Sequence, residues 1–467
     1  MPKAALAITV RMYRQGLGDC FLLTFKKGSK TAHMMIDCGV ILSTQDAAAR
    51  MTRIVEDVRD ATNGHLDVVV ATHEHWDHIS GFNQARPVFD QIEIDSVWLA
   101  WTEEPGNERA QELKEEFGAQ MRAIVGAMNL WKADVQPRLR EAVTEVLAFS
   151  GDVLGAAGQT TADALAYLKG REDAEVRYLR PGQTPFGVPG IDGIRVYVLG
   201  PPDSSEYIRH LLPRKNRHEA YELRLTAARA FGAAFNGNPG DGERRRALPF
   251  DEYHMIPKDQ ALSRGPGDFF SRHYGDPAAQ WRAIDDDWLT LAGQLALDLD
   301  NKTNNTCLAL AIEIESTGEV LLFPGDAQIG NWASWKDVSF DVRSKDGSNT
   351  TVTSRDLLAR TVLYKVGHHG SHNATHRSEG LEMMTNPDLV AMIPVNRAMA
   401  RKKRWNMPFP PLLERLNDKC RSRVIHQDDP PGAAVQAARS VLSKGETARF
   451  TNAIVETDDY VEFTFPF

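Results

Sequence analysis

Short apolar runs that stop on polar, metal-ligand-type residues recur along this chain. Leu66-Asp67-Val68-Val69-Val70-Ala71-Thr72 is rich in β-branched residues and runs directly into His73-Glu74-His75-Trp76-Asp77-His78. Its length and composition predict a buried strand. Val320-Leu321-Leu322-Phe323 closes in the same way on Pro324-Gly325-Asp326, and Leu363-Tyr364-Lys365-Val366 on Gly367-His368-His369-Gly370-Ser371. Ile194 to Leu199 reads as a strand that halts at Gly200-Pro201-Pro202, and Ser96 to Trp101 as a further short one. Residues 8–41 carry three short strands separated by Gly/Asp turns. An amphipathic helix is expected over 43–61, capped by Ser43-Thr44 with Asp46 in its first turn.

Between these blocks the period changes. From Asn107 to about Gly170, Leu113, Phe117, Met121, Ile124 and Met128 recur at helical spacing, followed by Leu139, Val143, Val146 and Leu147. Two or three helices whose apolar stripe serves packing are expected there. Residues 203–302 are partly helical and contain Asn236-Gly237-Asn238-Pro239-Gly240-Asp241-Gly242, a loop by composition. The histidines of this stretch, His210, His218, His254 and His273, stand at no metal-ligand spacing and read as surface or packing residues.

Composition narrows the class. At 467 residues the chain can bury a large core, and Lys+Arg 54 against Asp+Glu 63 gives a net charge of −9, which argues against a protein that coats nucleic acid. Cys20, Cys38, Cys307 and Cys420 form no C-x-x-C pair, so buried free thiols in a reducing compartment are expected. No apolar run is long enough to span a bilayer, and Met1 to Leu6 lack a signal-peptide core. The expected location is cytoplasmic, with no membrane partner.

The densest chemistry lies in His73 to His78. A strand ending in H-x-H-x-D-H can aim His73 and His75 at one point and Asp77 and His78 at a neighbouring one, so that two divalent cations are held with open positions for water. A zincin helix is excluded, because that motif needs histidines four apart and the loop shows no helical pattern. Imidazole and carboxylate without thiolate suit Zn(II), with Mn(II) or Fe(II) as alternatives.

This motif resembles the signature of the metallo-β-lactamase-fold hydrolases. Met34-Met35-Ile36-Asp37-Cys38-Gly39 looks like that family's early strand and Asp-x-Gly turn, and Gly325-Asp326 and His368-His369 follow in the family's order. Gly16-Leu17-Gly18-Asp19-Cys20-Phe21-Leu22-Leu23, Asn304-Asn305-Thr306-Cys307 and His-His-Gly-Ser resemble the metallo-β-lactamase-like domain of ComEC-type DNA-uptake competence proteins, a branch that includes phosphorylcholine esterases. The likeness covers about residues 5–100, 177–202 and 303–417. It implies an α+β fold, an αββα four-layer sandwich with two largely helical insertions. Core segments are then 1–102, 177–202 and 303–467, with insertions at 103–176 and 203–302.

The resemblance further implies two divalent metal ions, Zn(II) with Mn(II) as the alternative, and a hydroxide held between them. His73 and His75 would serve the first ion, Asp77, His78 and His369 the second, and Asp326 would bridge. Asp77 and His368 are the expected catalytic residues, His368 facing substrate as an oxyanion or leaving-group partner; the roles of His368 and His369 could also be reversed. Asp37 is read as orienting a ligand histidine. Asp19 is read either as doing the same or as capping its turn. Two departures stand out. Lys302-Thr303-Asn304-Asn305-Thr306 occupies the place of a further family histidine, which leaves water, an Asn carbonyl or weak occupancy at the first ion. Met407 replaces a histidine before a later helix.

Arg401-Lys402-Lys403-Arg404 followed by Trp405 reads as a phosphate clamp with a base-stacking platform, or as a solvated charge run. Arg244-Arg245-Arg246 reads as surface. The function expected is a dinuclear phosphodiesterase or nuclease, with a phosphodiester such as DNA or RNA as substrate. A metallohydrolase of a thioester, lactone or amide is the alternative, followed by a non-catalytic interaction protein on the same scaffold.

Overall fold

Alternation along Leu6–Tyr13 places Ile8, Val10 and Met12 on one buried face, and that face finds its partners at the other end of the sequence. In the computed structural model β1 (Leu6–Tyr13) pairs antiparallel with the last strand, Ile8 opposite Phe465 and Met12 opposite Val461. The structure describes residues 5–42, 44–130, 143–144, 160–209, 260, 268–274, 287–343 and 348–466. The loop at Asn236 to Gly242, the Arg244 to Arg246 run and His210, His218 and His254 lie outside the described residues.

The strands follow in chain order as β2 (Cys20–Lys27), β3 (Lys30–Cys38), β4 (His65–Leu66), β5 (Val68–Ala71), β6 (Glu93–Ile94), β7 (Ser96–Ala100), β8 (Glu175–Leu179) and β9 (Ile194–Gly200). After them come β10 (Ala309–Ile314), β11 (Val320–Phe323), β12 (Ser339–Arg343), β13 (Asn349–Thr353), β14 (Thr361–Lys365), β15 (Val390–Ile393), β16 (Val424–His426), β17 (Ile454–Glu456) and β18 (Tyr460–Phe465). Eight of them form one sheet in the order β17-β18-β1-β2-β3-β5-β7-β8, and six form another, β16-β15-β14-β11-β10-β9. β4 with β6 and β12 with β13 make two-stranded ribbons.

Both large sheets feed one apolar core: Val10, Phe25 and Val70 from the first and Val198, Leu310, Leu321 and Val390 from the second. Phe21 meets Phe323 edge-on at 5.8 Å. The opposite face of the eight-stranded sheet is covered by helices Ala47–Ala61, Trp76–Gln84 and Thr161–Lys169. Thr161–Lys169 falls inside the 103–176 segment and packs Ala164, Leu165 and Leu168 into that cluster. The opposite face of the six-stranded sheet is covered by Ile329–Ser334, Ser354–Ala359 and Pro410–Lys419.

The first helix starts later than its sequence signals suggest, at Ala47. Asp46 has φ +53°, a left-handed conformation that no helix can run through, so it stands before the first turn and not within it. All four cysteines are buried and free. No helix among the described residues is long and apolar enough to cross a membrane. The chain divides into two compact units, one of Met1–Gln111, Ala148–Leu211 and Asn301–Phe467, the other of Glu112–Leu147 and Leu212–Asp300. In the second, the short helix Phe269–Tyr274 sets Phe269 and Phe270 edge to face at 5.4 Å.

Candidate metal centre

The side chains of the centre come from strand ends of the larger unit and from the turns and helix that directly follow them. β5 delivers Thr72 and His73, and the chain then turns at once into the helix Trp76–Gln84, with His75 at its N-cap. The ligand-type residues by themselves predict a loop here. Trp76, Ile79 and Phe82 are all fully buried, and this i, i+3, i+6 spacing drives a helix that the run of ligand-type residues obscures. Asp77 thus sits in a first helical turn, where the exposed N–H groups favour a carboxylate.

Glycines let the neighbouring turns close on this one. The Asp19 N–H donates to the Asp77 carbonyl at 3.0 Å, and the Gly39 N–H to the Asp19 carbonyl at 2.9 Å. Gly325 adopts φ +57° against Thr72, which brings Asp326 at the end of β11 up to β5. His368, His369 and Gly370 follow β14 with φ of +41°, +53° and +79°, a left-handed turn costly for the two histidines.

Asp326 lies at the middle. One ligand atom each from His73, His78 and Asp326 falls within 4.8 Å of the others, and so does one each from Asp77, Asp326 and His369. His78 Nε2 is 3.1 Å from Asp326 Oδ2, and His369 Nε2 is 3.0 Å from Asp77 Oδ2. His75 is buried beside His73, their ring centroids 4.6 Å apart. The resemblance pairs His73 with His75 and places His78 with Asp77 and His369. In the structure the His73 and His78 ring centroids are 4.2 Å apart, His78 Nε2 is 3.7 Å from Asp77 Oδ2, and Asp326 belongs to both groups.

The hydrogen bonds behind the rings fix which nitrogen faces inward. Thr72 Oγ1 donates to Asp37 Oδ2 at 2.7 Å, so its oxygen accepts from His73 Nδ1 at 3.1 Å. His78 Nδ1 donates to Asp37 Oδ2 at 2.8 Å, and His369 Nδ1 to the Pro394 carbonyl at 2.6 Å. Each ring therefore turns Nε2 inward, the arrangement that metal-binding imidazoles use. His73 Nε2 and Asp77 Oδ1 are buried and have no hydrogen-bond partner among the described residues. The Nε2–carboxylate distances of 3.1 and 3.0 Å suit a shared proton or, with that proton gone, a cation; two ligands on one tetrahedral Zn(II) are separated by roughly 3.3 Å. These residues fit a pair of divalent ions.

Protonation divides the rings: at His78 burial is outweighed by Asp326 and Asp19, and at His369 by Asp77 and Asp326, which hold His78 well above the histidine range and His369 above it, so a metal would displace a proton from each. Burial, with His78 and His75 nearby, holds His73 well below the usual histidine range, and burial brings His75 to about 4. For Asp326, burial acts upward but is outweighed by His78 and Lys365, which keep it well below the carboxylate range. The imidazoles His73 and His75 are neutral and the Asp326 carboxylate is charged, as ligands must be.

Three contributors escaped the sequence reading. Lys365 is buried at the end of β14, on the face of Leu363. It donates to the Gly325 carbonyl at 2.9 Å and Asp326 Oδ1 at 3.1 Å, and pairs with Asp19. Burial would lower its pKa, but Asp19 and Asp326 prevail and hold it above the lysine range. A lone lysine closing an apolar strand just before a histidine pair was the available signal. Thr72 fixes Asp37, and Gln328 Nε2 donates to His368 Nδ1 at 3.2 Å. The His368 N–H itself donates to Asp326 Oδ1 at 2.8 Å. Asp37 accepts from His78; Asp19 faces Lys365 and both His78 Nδ1 (3.8 Å) and His369 Nδ1 (3.9 Å). The Asn305 side chain is engaged within the scaffold: its Oδ1 accepts from the Asn331 N–H at 3.0 Å and its Nδ2 donates to the Ile208 carbonyl at 3.1 Å.

The cationic run occupies the end of helix Arg397–Lys402 and the residues after it. Arg401, Lys402 and Arg404 are exposed, while Lys403 is half-buried with Nζ 5.3 Å from the Trp405 ring centre. Trp405 is half-buried and packs against the core cluster of the six-stranded sheet. The segment that follows reaches the histidine turn, with the Phe409 N–H donating to the Gly370 carbonyl at 2.8 Å.

Comparison with known proteins adds one finding. Residues 13–113 match the family model of the metallo-beta-lactamase superfamily. No curated protein matches the chain.

Proposed function

We propose that this protein is a dinuclear metal-dependent hydrolase of phosphodiesters, a phosphodiesterase or nuclease, built on a four-layer αββα core and working in the cytoplasm. The reading rests on one observation above others: Asp326 is shared by two carboxylate–imidazole groups, His73 with His78 and Asp77 with His369. Superfamily proteins of this kind are mostly metal-dependent hydrolases, which agrees with the match at residues 13–113. The donor set suits Zn(II) or Mn(II).

Divalent ions bound there would activate water and neutralise charge on the attacked group. The chain's own residues do the rest. Asp37 holds His78 by Nδ1, and Pro394 holds His369, so both rings are aimed before substrate arrives. Asn373 Nδ2 donates to Gln328 Oε1 at 2.8 Å, which turns the Gln328 amide so that its N–H points at His368 Nδ1. His368, held near pKa 4 by burial, is neutral and carries its proton on Nε2. From there it donates to a developing oxyanion or to the leaving oxygen. Replacing His368 by Ala is expected to lower kcat by about 100-fold with metal content unchanged. Loss of metal together with turnover would make His368 a ligand instead.

Arg401, Lys402 and Arg404 support the phosphodiester over a neutral substrate, since they stand exposed on a segment that continues to the histidine turn. Converting these three to Ala should raise KM for a polyanionic substrate about tenfold at low salt and flatten its salt dependence, with kcat retained. The deciding experiment offers single- and double-stranded DNA, RNA, bis-para-nitrophenyl phosphate, a thioester and a lactone with Mn(II) or Zn(II). Activity confined to thioester or lactone would replace the phosphodiester reading with the other metallohydrolase one.

A further inference from the structure

Four carboxylates, Asp19, Asp37, Asp77 and Asp326, are buried around the centre, each no more than 1% exposed, together with Lys365 at 2%. We infer that Lys365 is a resident counter-cation that offsets Asp19 and Asp326 in the metal-free protein and tempers how tightly the centre takes up divalent ions. The inference rests on the metal-centre reading, not on the identity of the substrate.

The geometry separates charge from posture. Lys365 takes Asp326 Oδ1, the oxygen turned away from His78, while Oδ2 approaches His78 Nε2 at 3.1 Å. Oδ1 also accepts the His368 N–H at 2.8 Å, so the carboxylate keeps an anchor without the lysine. The ammonium is itself tethered by the Gly325 carbonyl at 2.9 Å and by Asp19. With the imidazoles counted as neutral ligands, the centre carries a net charge of roughly −3. Two divalent ions leave a single positive charge, the right sign for an anionic nucleophile or substrate. Without Lys365 the loaded centre would be neutral, and the empty one would lose the ammonium that faces Asp19 and Asp326. Buried charges are weakly screened, so both differences are large.

The test compares wild type, Lys365→Met and the charge-conserving pair Asp19→Asn/Lys365→Met, each with chelator and with Mn(II). Lys365→Met should lower the metal-free melting midpoint by roughly 10 °C and the loaded midpoint by clearly less. Its Mn(II) dissociation constant, read by competition with a chelator, should tighten about tenfold. The double variant should bring both quantities back towards wild type, and it carries the test alone if Lys365→Met does not fold. Equal losses with and without metal would mark Lys365 as scaffold only. Weaker Mn(II) binding in Lys365→Met, or a double variant no better than the single one, would also overturn the inference. A wild type that takes up no divalent ion removes the metal reading and this inference together. No substrate enters the assay, so failure of the phosphodiester assignment leaves it untouched.

Discussion

Asp326→Ala should purify with less than one divalent ion per chain where the wild type carries close to two, and should lose hydrolytic activity to the limit of detection. Both ligand groups include Asp326, whereas His73 and Asp77 each serve only one. The substitution also strips a partner from Lys365 Nζ and from the His368 N–H, leaving two buried donors to be satisfied elsewhere. Loss of a mere supporting partner costs metal affinity roughly 10–100-fold, and loss of a shared ligand should exceed that. Elemental analysis after gel filtration settles the point. Two ions retained by Asp326→Ala would mean that the carboxylate does not join the two groups.

Gly39→Ala should be nearly as damaging, although Gly39 carries no chemistry. A Cβ there would lie 2.6 Å from the Asp77 carbonyl oxygen and closer still to the Asp77 carbonyl carbon. These are backbone atoms of the ligand-bearing turn, and no rotamer change can clear them. Overpacking of this kind costs about 3 kcal/mol where nothing can yield, and here the yielding element would be Asp77 and His78 themselves. The expected result is a lower urea midpoint together with reduced metal content. Gly106→Ala is the control, since nothing lies within 4 Å of a Cβ at that position. A Gly39→Ala protein with wild-type stability and metal would show that the turns are less tightly closed than described.

Much of the centre could be read in the sequence because its residues sit where apolar runs stop. Strands announce themselves by composition, and a histidine or aspartate at their ends is conspicuous against Val and Leu. What could not be read is how the ends meet. Asp77 and His369 lie 292 positions apart, and only the pairing of β3, β5 and β7 in one sheet and β11, β14 and β15 in the other brings them to 3.0 Å. The grouping of His78 with His73 follows from Asp37 gripping its ring, a contact that no spacing encodes. The helix at Trp76 was hidden because ligand types outnumber helix formers in its first turn. Lys365 was overlooked because a single charge at the end of an apolar strand reads as a strand terminus, and only burial shows that it points inward.

The two sheets contribute to the centre unequally: His73, Asp77 and His78 follow a strand of the larger sheet, while Asp326 and His369 follow strands of the smaller. Elsewhere the sheets meet through side chains such as Phe21 and Phe323, contacts that resist separation but tolerate sliding. Coordination bonds are directional and do not slip. An ion held at this edge would add a rigid clasp to directional contacts already there, such as the Leu308 N–H donating to the Thr72 carbonyl at 2.8 Å, and the protein's resistance to shear would rise and fall with its metal supply.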